Sequence, residues 1–281
     1  MTSRTHVGLV TGAASGIGRA LVARIASEGW RVLATDVNED ALLQAFASDG
    51  WPAERVRSHV LDVTCTQSWS HALTQIAQSY GTLDVLFNVA GYLRPAYLAD
   101  ISGEDIQRML EINIAGVMLG TQAAAAVMRP SGTGHIVNVS SLAGLAPIPG
   151  LSVYSATKFA VRGFSLAVAQ ELHAEGIAVT VVYPDAVQTP MLDSQVDHDA
   201  AALTFSGVAP LTVDEVCDAI CGPVLRRRPL EWTLPRGRGA MARAAGSFPG
   251  LARVVGPMLS EKGRKRQAAL RRRSEHAREE E

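Results

Sequence analysis

Two hydrophobic patterns alternate along this chain. Short apolar runs at 7–11, 31–35, 56–61, 85–87, 136–139 and 178–182 have the length and β-branched content of buried strands. Between them, residues 17–28, 38–47, 69–80, 104–128 and 153–172 carry apolar positions at helical spacing. Strand and helix alternate throughout, which predicts an α/β fold: a doubly wound parallel sheet with helices on both faces, in three layers. A helix at 213–225 and an edge strand at 231–234 close the pattern. Beyond them, Leu251, Val254, Val255, Met258 and Leu259 recur at helical spacing near Pro249 and Pro257, which predicts a helical C-terminal extension. The expected division is therefore 1–235 as the main domain, with irregular 191–210 inside it, and 236–281 as the extension.

The predicted strand ends carry the polar chemistry. The first strand runs into Thr11-Gly12-Ala13-Ala14-Ser15-Gly16-Ile17-Gly18 and then a helix. A glycine turn there lets backbone N–H groups and the positive helix end meet a pyrophosphate. Asp36 ends the second strand, placed to accept hydrogen bonds from an adenosine ribose and to repel a 2′-phosphate. No base stands beside it at Ser15 or Val37, so NAD is expected in preference to NADP. Further on, Tyr154 and Lys158 are four apart in a predicted helix, on one face and roughly 6 Å apart along its axis. A neighbouring ammonium favours a phenolate, so such a tyrosine could exchange protons with an alcohol or carbonyl. On spacing alone this pair has an ordinary alternative, an exposed helical contact. Asn113 lies inside a predicted helix, where a polar amide needs a reason.

Taken together these motifs resemble the short-chain dehydrogenase/reductase family over residues 5–235. The matches come in the family's order: Thr11-Gly12 to Gly18, Asp62, Asn88-x-Ala90-Gly91, Asn113, Ser141, Tyr154 to Lys158, and Pro184 to Thr189. The resemblance implies a Rossmann-type fold and hydride exchange between NAD and a secondary alcohol or ketone, mostly apolar, with no metal. It implies that Tyr154 handles the proton, that Lys158 lowers the tyrosine's pKa and binds the nicotinamide ribose, and that Ser141 holds the substrate oxygen. Asn113 would anchor a proton-relay water. Gly12, Ser15, Gly16, Ile17 and Gly18 would meet the pyrophosphate, Asp62 and Val63 the adenine, Asn88 and Ala90 the adenosine side, and Val187 and Thr189 the carboxamide. It also implies a homodimer or homotetramer, through 104–128 and the Tyr154 helix, and a substrate lid at 191–210. An alternative is a protein that keeps the fold to bind cofactor as a regulator or scaffold. The set Asn113, Ser141, Tyr154 and Lys158 argues against it, since such a protein has no use for all four.

Two positions depart from the family pattern. Val89 stands where a second amide is usual, and Asp185 where a glycine follows Pro184. The carboxylate could narrow the nicotinamide pocket, repel acidic substrates, or simply face solvent.

Composition narrows the setting. Apolar residues make up 47% and charged residues 19%, which excludes a disordered or fibrous chain. Cys65, Cys217 and Cys221 form no disulfide framework and lack partners for a zinc site. His198, between Asp197 and Asp199, reads as a solvated loop. No apolar leader precedes the first strand, and the apolar stretch 117–128 is short for a membrane span. A cytoplasmic enzyme is expected. The net charge of −1 hides an asymmetry: Arg226 to Glu281 holds 15 basic and 6 acidic side chains, the preceding residues 11 and 21. The basic extension could pack beside the substrate mouth or a subunit interface, touch an anionic membrane weakly, or stay solvated. Without interleaved aromatics or a recognition motif it does not suggest nucleic-acid binding.

Overall fold

The computed structural model describes residues 5–207 and 209–279, and all side chains among them except those of Leu251, Ala252, Val255 and 273–279. The extension's Leu251, Val255, Arg273 and terminal acidic cluster Glu279–Glu281 therefore lie outside the described side chains, as does Met1–Arg4 at the other end.

Seven strands form one parallel sheet in the order β3-β2-β1-β4-β5-β6-β7. They are β1 (Val7–Thr11), β2 (Arg31–Asp36), β3 (Val56–Val60), β4 (Val85–Asn88), β5 (Gly134–Val139), β6 (Ile177–Pro184) and β7 (Glu231–Leu234). The helices are α1 (Gly16–Ser27), α2 (Glu39–Ser48), α3 (Thr66–Tyr80), α4 (Gly103–Leu110), α5 (Gly116–Met128), α6 (Ser152–His173), α7 (Pro190–Asp193), α8 (Val213–Ala219), α9 (Leu225–Arg227), α10 (Arg236–Ser247) and α11 (Pro249–Glu279).

Alternation along each strand sorts the core into two layers. Val10, Val32, Phe87 and Val137 face Leu21 and Ile25 of α1, Leu42 of α2 and Val216 of α8. Their neighbours Leu9, Leu33, Leu86 and Ile136 face Trp69 and Ile76 of α3, Met128 of α5 and Leu172 of α6. The central strands β1, β4, β5 and β6 thus bury both faces, whereas the outer strands β3 and β7 are only partly covered and carry polar residues. The strand order reverses between β1 and β4, and ligands of such sheets bind beyond the carboxyl ends at that point.

Two predicted helices are interrupted. The 104–128 run is α4, a π turn at Glu111–Ala115, then α5. The run at 213–225 holds a second π turn, Ile220–Val224, around Pro223, which cannot donate the usual bond. By length and composition alone the run Gly103–Ser131 could cross a membrane. Here its buried side, including Met109, Ala124 and Met128, packs on protein.

Candidate active site

The turn after β1 is built for close approach. Gly12 and Gly16 have φ of 71° and 51°, where side chains other than hydrogen are strained. A Cβ on Gly12 would lie 2.9 Å from Ala90 Cα, and one on Gly18 would overlap the Gly12 carbonyl. One on Gly16 would lie 3.0 Å from Thr189 Cγ2. The turn therefore touches the loops after both β4 and β6. Ser15 is the N-cap of α1 but makes no side-chain capping bond, so its hydroxyl is left to the cleft. The first turn of α1, Gly16-Ile17-Gly18, presents its N–H groups to the same space.

Asp36 is fixed at the end of β2 by two backbone donors: Ala14 N–H at 3.1 Å and Asn38 N–H at 3.0 Å. Among the described residues it has no ion-pair partner, and Arg19 of α1 is engaged with Asp49. Asp62 accepts from the Thr64 N–H and hydroxyl at 2.9 and 2.7 Å, which orders the loop that brings Val63 to the cleft. Ala90 sits across the cleft, its N–H and that of Val89 both donated to Thr11 Oγ1 at 3.0 Å. Val89 meanwhile packs on the core, so a side-chain amide is not needed to hold this segment.

Asn88 is placed differently from the expectation that it faces the adenosine. It is 3% exposed, and its amide donates to Asn138 Oδ1 at 2.8 Å inside the sheet. As the last residue of β4 it alternates inward, and Val89 and Ala90 form the cleft wall instead.

Tyr154 and Lys158 meet Ser141 at the floor of the cleft. Ser141 caps a short 3₁₀ turn, Leu142–Gly144, accepting from Ala143 N–H at 3.2 Å. This turn lies against α6: Ser140 Oγ donates to the Lys158 carbonyl at 3.0 Å. Lys158 Nζ lies 5.5 Å from the Tyr154 ring centroid and donates to the Val139 carbonyl at 3.1 Å. Burial pushes the Tyr154 phenol up to about 12, although its hydrogen bond with Ser141 pulls the other way. Burial likewise pushes the Lys158 ammonium down to about 8. The expected lowering of the tyrosine by the lysine does not show here; removal from water dominates the shift of each group. The phenol is protonated at neutral pH.

The π turn explains Asn113. It carries this fully buried amide to the Tyr92 backbone, accepting from Tyr92 N–H and donating to its carbonyl, both at 2.8 Å. Its other amide proton goes to Thr157 Oγ1 on α6, at 3.1 Å. With both donors spent on protein, the side chain ties the 91–93 loop to α6. A relay water expected at this residue would need the backbone rather than the amide N–H groups. A Cβ on Gly91 would lie 3.4 Å from Asn113 Oδ1 and 3.8 Å from Lys158 Nζ, so the loop, Asn113 and the lysine converge there.

At the far side, Val187 is held by a parallel bridge to Leu211, and Thr189 precedes α7. Both line the cleft, whose volume is about 2020 Å³ and whose walls are mostly apolar. Asp185 does not face solvent and is not left bare. Arg238 of α10 forms an ion pair with it, and its Nη2 also lies 3.4 Å from Asp185 Oδ1. Sequence reasoning missed this partner, which lies 53 residues away. It also missed the α10 and α11 residues that line the cleft, such as Met241 and Pro257. His198 caps the 3₁₀ turn Asp199–Ser206 within the expected lid, and no metal-binding cluster occurs among the described residues.

A family model described as short chain dehydrogenase matches residues 6–200. The chain belongs to that family. A 3-alpha-(or 20-beta)-hydroxysteroid dehydrogenase of Mycobacterium tuberculosis is 37% identical over 187 residues, 66% of this chain and 71% of the relative. The cyclopentanol dehydrogenase of Comamonas testosteroni is 38% identical over 199 residues, 71% of this chain and 80% of the relative. Among solved structures, levodione reductase superposes with a TM-score of 0.76 at 25% identity, over 84% of this chain and 99% of that one. A short-chain dehydrogenase from Streptomyces avermitilis gives the same score at 26% identity, over 91% and 96%. As a short-chain dehydrogenase this protein is an oxidoreductase of the secondary alcohol/ketone couple that works with a nicotinamide dinucleotide. The turn after β1 fits that group, because the uncapped Ser15 hydroxyl and the free N–H groups of the first turn of α1 open onto the cleft there.

Proposed function

We propose an NAD-dependent dehydrogenase of apolar, alicyclic secondary alcohols and the matching ketones. The carrying observation is that Ser141, Tyr154 and Lys158 together line the floor of one wide apolar cleft. The hydroxysteroid and cyclopentanol relatives support the ring-shaped substrate. Asp36 at the end of β2, with no basic partner among the described residues, supports NAD over NADP.

When bound, the nicotinamide supplies or takes up the hydride at the substrate carbon. The protein's part is positional and acid–base. Gly12, Ser15, Gly16, Ile17 and Gly18 hold the pyrophosphate, Asp36 the ribose, Asp62, Val63 and Ala90 the adenosine end, and Val187 and Thr189 the carboxamide. Ser141 Oγ donates to the substrate oxygen and offsets its developing charge. Tyr154 Oη gives that oxygen a proton in reduction and takes one in oxidation. Lys158, buried beside it, presents a cation to the phenolate that oxidation requires and to the nicotinamide ribose.

The test is spectrophotometric: purified protein, NAD or NADP, and secondary alcohols from cyclopentanol to a steroid. Reduction of NAD with at least one alicyclic alcohol is expected. Reduction of NADP at equal efficiency would remove the role given to Asp36.

The setting completes the reading. Half-exposed Leu110, Met118, Val127 and Phe159 on the outer faces of α4, α5 and α6 support a homodimer or tetramer through those helices. Light scattering checks this. Three free cysteines, two with thiols pushed up to about 12 by burial, suit a reducing cytoplasm. The exposed face of α11, with Val254 and Met258 ahead of Lys262 and Lys265, supports weak contact with an anionic membrane surface. Co-sedimentation with anionic vesicles tests it.

A further inference from the structure

Residues beyond 200 lie outside the family match, yet α10 and α11 are bound to the site by contacts of three kinds. The first is charge. Arg238 pairs with Asp185, one residue past the end of β6 and two before Val187. Arg243 pairs at 3.2 Å with Glu231 of β7, which also accepts from Tyr183 Oη at 2.7 Å and Arg162 Nε at 2.9 Å. Those two residues stand on β6 and α6, so the extension is tied to the elements that carry Asp185 and Tyr154.

The second contact is close backbone approach. A Cβ on Gly246 would overlap the Leu145 carbonyl, four residues after Ser141, and one on Gly263 would overlap the Ala202 carbonyl in the lid. The third is hydrogen bonding to lid backbone. Gln267, 1% exposed, donates through Nε2 to the carbonyls of Gln195 and His198 at 3.2 and 3.0 Å. Arg271 donates to the Val196 carbonyl at 2.8 Å and to Asp199 at 2.9 Å. A solvated tail needs no such fit. On this side the cleft is lined by half-buried Ala242, Ala245 and Leu259 and, towards its mouth, by the exposed Met241, Pro249 and Pro257 with Arg253 and Arg264.

We propose that residues 236–272 are the specificity-determining outer wall of the substrate chamber, set against the nicotinamide end by the Asp185–Arg238 pair. The inference rests on the dehydrogenase reading and deepens it. The wall favours a substrate long enough to reach from Tyr154 to α10 and α11, a multi-ring or long apolar alcohol. A small ring touches only the catalytic floor. Asp185 and Arg238 are positioning residues: neither carries the proton, and each matters through the place it gives the wall. Their mutual neutralisation also keeps a bare carboxylate from the apolar chamber.

The test uses the full chain and two substrates, the smallest and the largest secondary alcohols that the parent oxidises. Ala245→Phe adds bulk to the wall, with Ala245→Leu as a milder change should the first fold poorly. The large alcohol should lose roughly tenfold or more in kcat/KM, mainly through KM, and the small one less than about threefold. Arg238→Gln and Asp185→Asn should raise KM for the large alcohol, leave NAD affinity within about twofold, and speed proteolysis within α10. The reciprocal swap, Asp185→Arg with Arg238→Asp, should recover part of the loss. Equal losses for both alcohols, or no loss for either, would overturn the wall. Should the parent oxidise nothing, the dehydrogenase reading fails by itself. Equilibrium dialysis of a steroid ketone with NADH then reads the wall directly: weaker binding to Ala245→Phe supports it and unchanged binding overturns it.

Discussion

The end of the cleft proposed for the dinucleotide is made of backbone, and the end proposed for the substrate is made of side chains from distant segments. At the first, Gly12, Gly16 and Gly18 bring main chain against Ala90 and Thr189, leaving no room for a Cβ at Gly12 or Gly18. At the second, the 3₁₀ turn after Ser141, the segment 190–206 and two helices of the extension line a broad apolar space. Backbone recognition serves a cofactor whose shape is constant. A wall of side chains on an added segment can be altered without disturbing the floor. The two ends share only α6 and the loops after β4, β5 and β6, where Tyr154, Lys158 and Ser141 stand between them.

The comparison breaks most sharply at Tyr154. Tyr154→Phe keeps the ring and its packing and removes only the hydroxyl, so folding and NAD binding should persist while turnover falls by about 10²–10⁴. Turnover within a few-fold of the parent would show that another group moves the proton. The raised phenol adds a pH test. Oxidation needs Tyr154 to lose its proton, and its value of about 12 lies far above neutrality, so the competent fraction grows with pH. Oxidation kcat/KM should climb from pH 7 to about 8, where the Lys158 cation begins to be lost, whereas ketone reduction, which uses the protonated phenol, should stay level or decline. A level oxidation profile would argue against this assignment.

At the other end, Gly18→Val should be nearly as damaging but through a different quantity. Any Cβ at this position overlaps the Gly12 carbonyl, so the turn must open. Loss of measurable NAD binding is expected by calorimetry, with a lower melting temperature. Saturable binding near the parent's affinity would mean that the cradle is not backbone-limited.

Legibility in the sequence followed the same division. Strand alternation and the glycine turn are local patterns, so the sheet, its three layers and the cradle could be read directly. That Ser141, Tyr154 and Lys158 come to one cleft was legible from their register with Asn113. What could not be read depended on pairs far apart in sequence. Arg238 finds Asp185, Gln267 finds the lid carbonyls, and no periodicity announces either. Asn88 was misplaced for a related reason: a strand's final residue faces inward or outward by register, and register comes from β5 and Asn138. The π turn at 111–115 was also invisible, because one extra residue per turn barely disturbs an apolar pattern.

A smaller effect is expected at the ribose. Asp36→Ala removes the carboxylate that accepts from Ala14 and Asn38 and would accept from the ribose hydroxyls. Hydrogen bonds to a charged group are worth about 1.5–3 kcal/mol, so NAD affinity should fall roughly 10- to 100-fold. NADP should lose less or gain, and the ratio of the two Kd values measures it. An unchanged ratio would assign Asp36 to the structure of α2 alone.

The smallest change separates what the shared floor costs from what it does. Lys158 is 4% exposed, and burial holds its ammonium near 8, below its ordinary 10.5. Over that interval the unfolded chain binds more protons than the folded one, so stability rises with pH. Below about 8 both states are charged, and the desolvation penalty is carried in full. Lys158→Met removes the charge at similar length and gives up the bond to the Val139 carbonyl. With about 1.4 kcal/mol per pKa unit set against a hydrogen bond of about 1 kcal/mol, the variant should gain on the order of 2 kcal/mol at pH 7. That gain should shrink as pH rises from 8 towards 10.5, while activity is lost throughout. Denaturant midpoints at pH 7 and pH 10 decide it. A variant less stable than the parent at pH 7 would mean that the ammonium is held by more than one carbonyl. Lys158 would then be a structural tie between β5 and α6 as well as a catalytic cation.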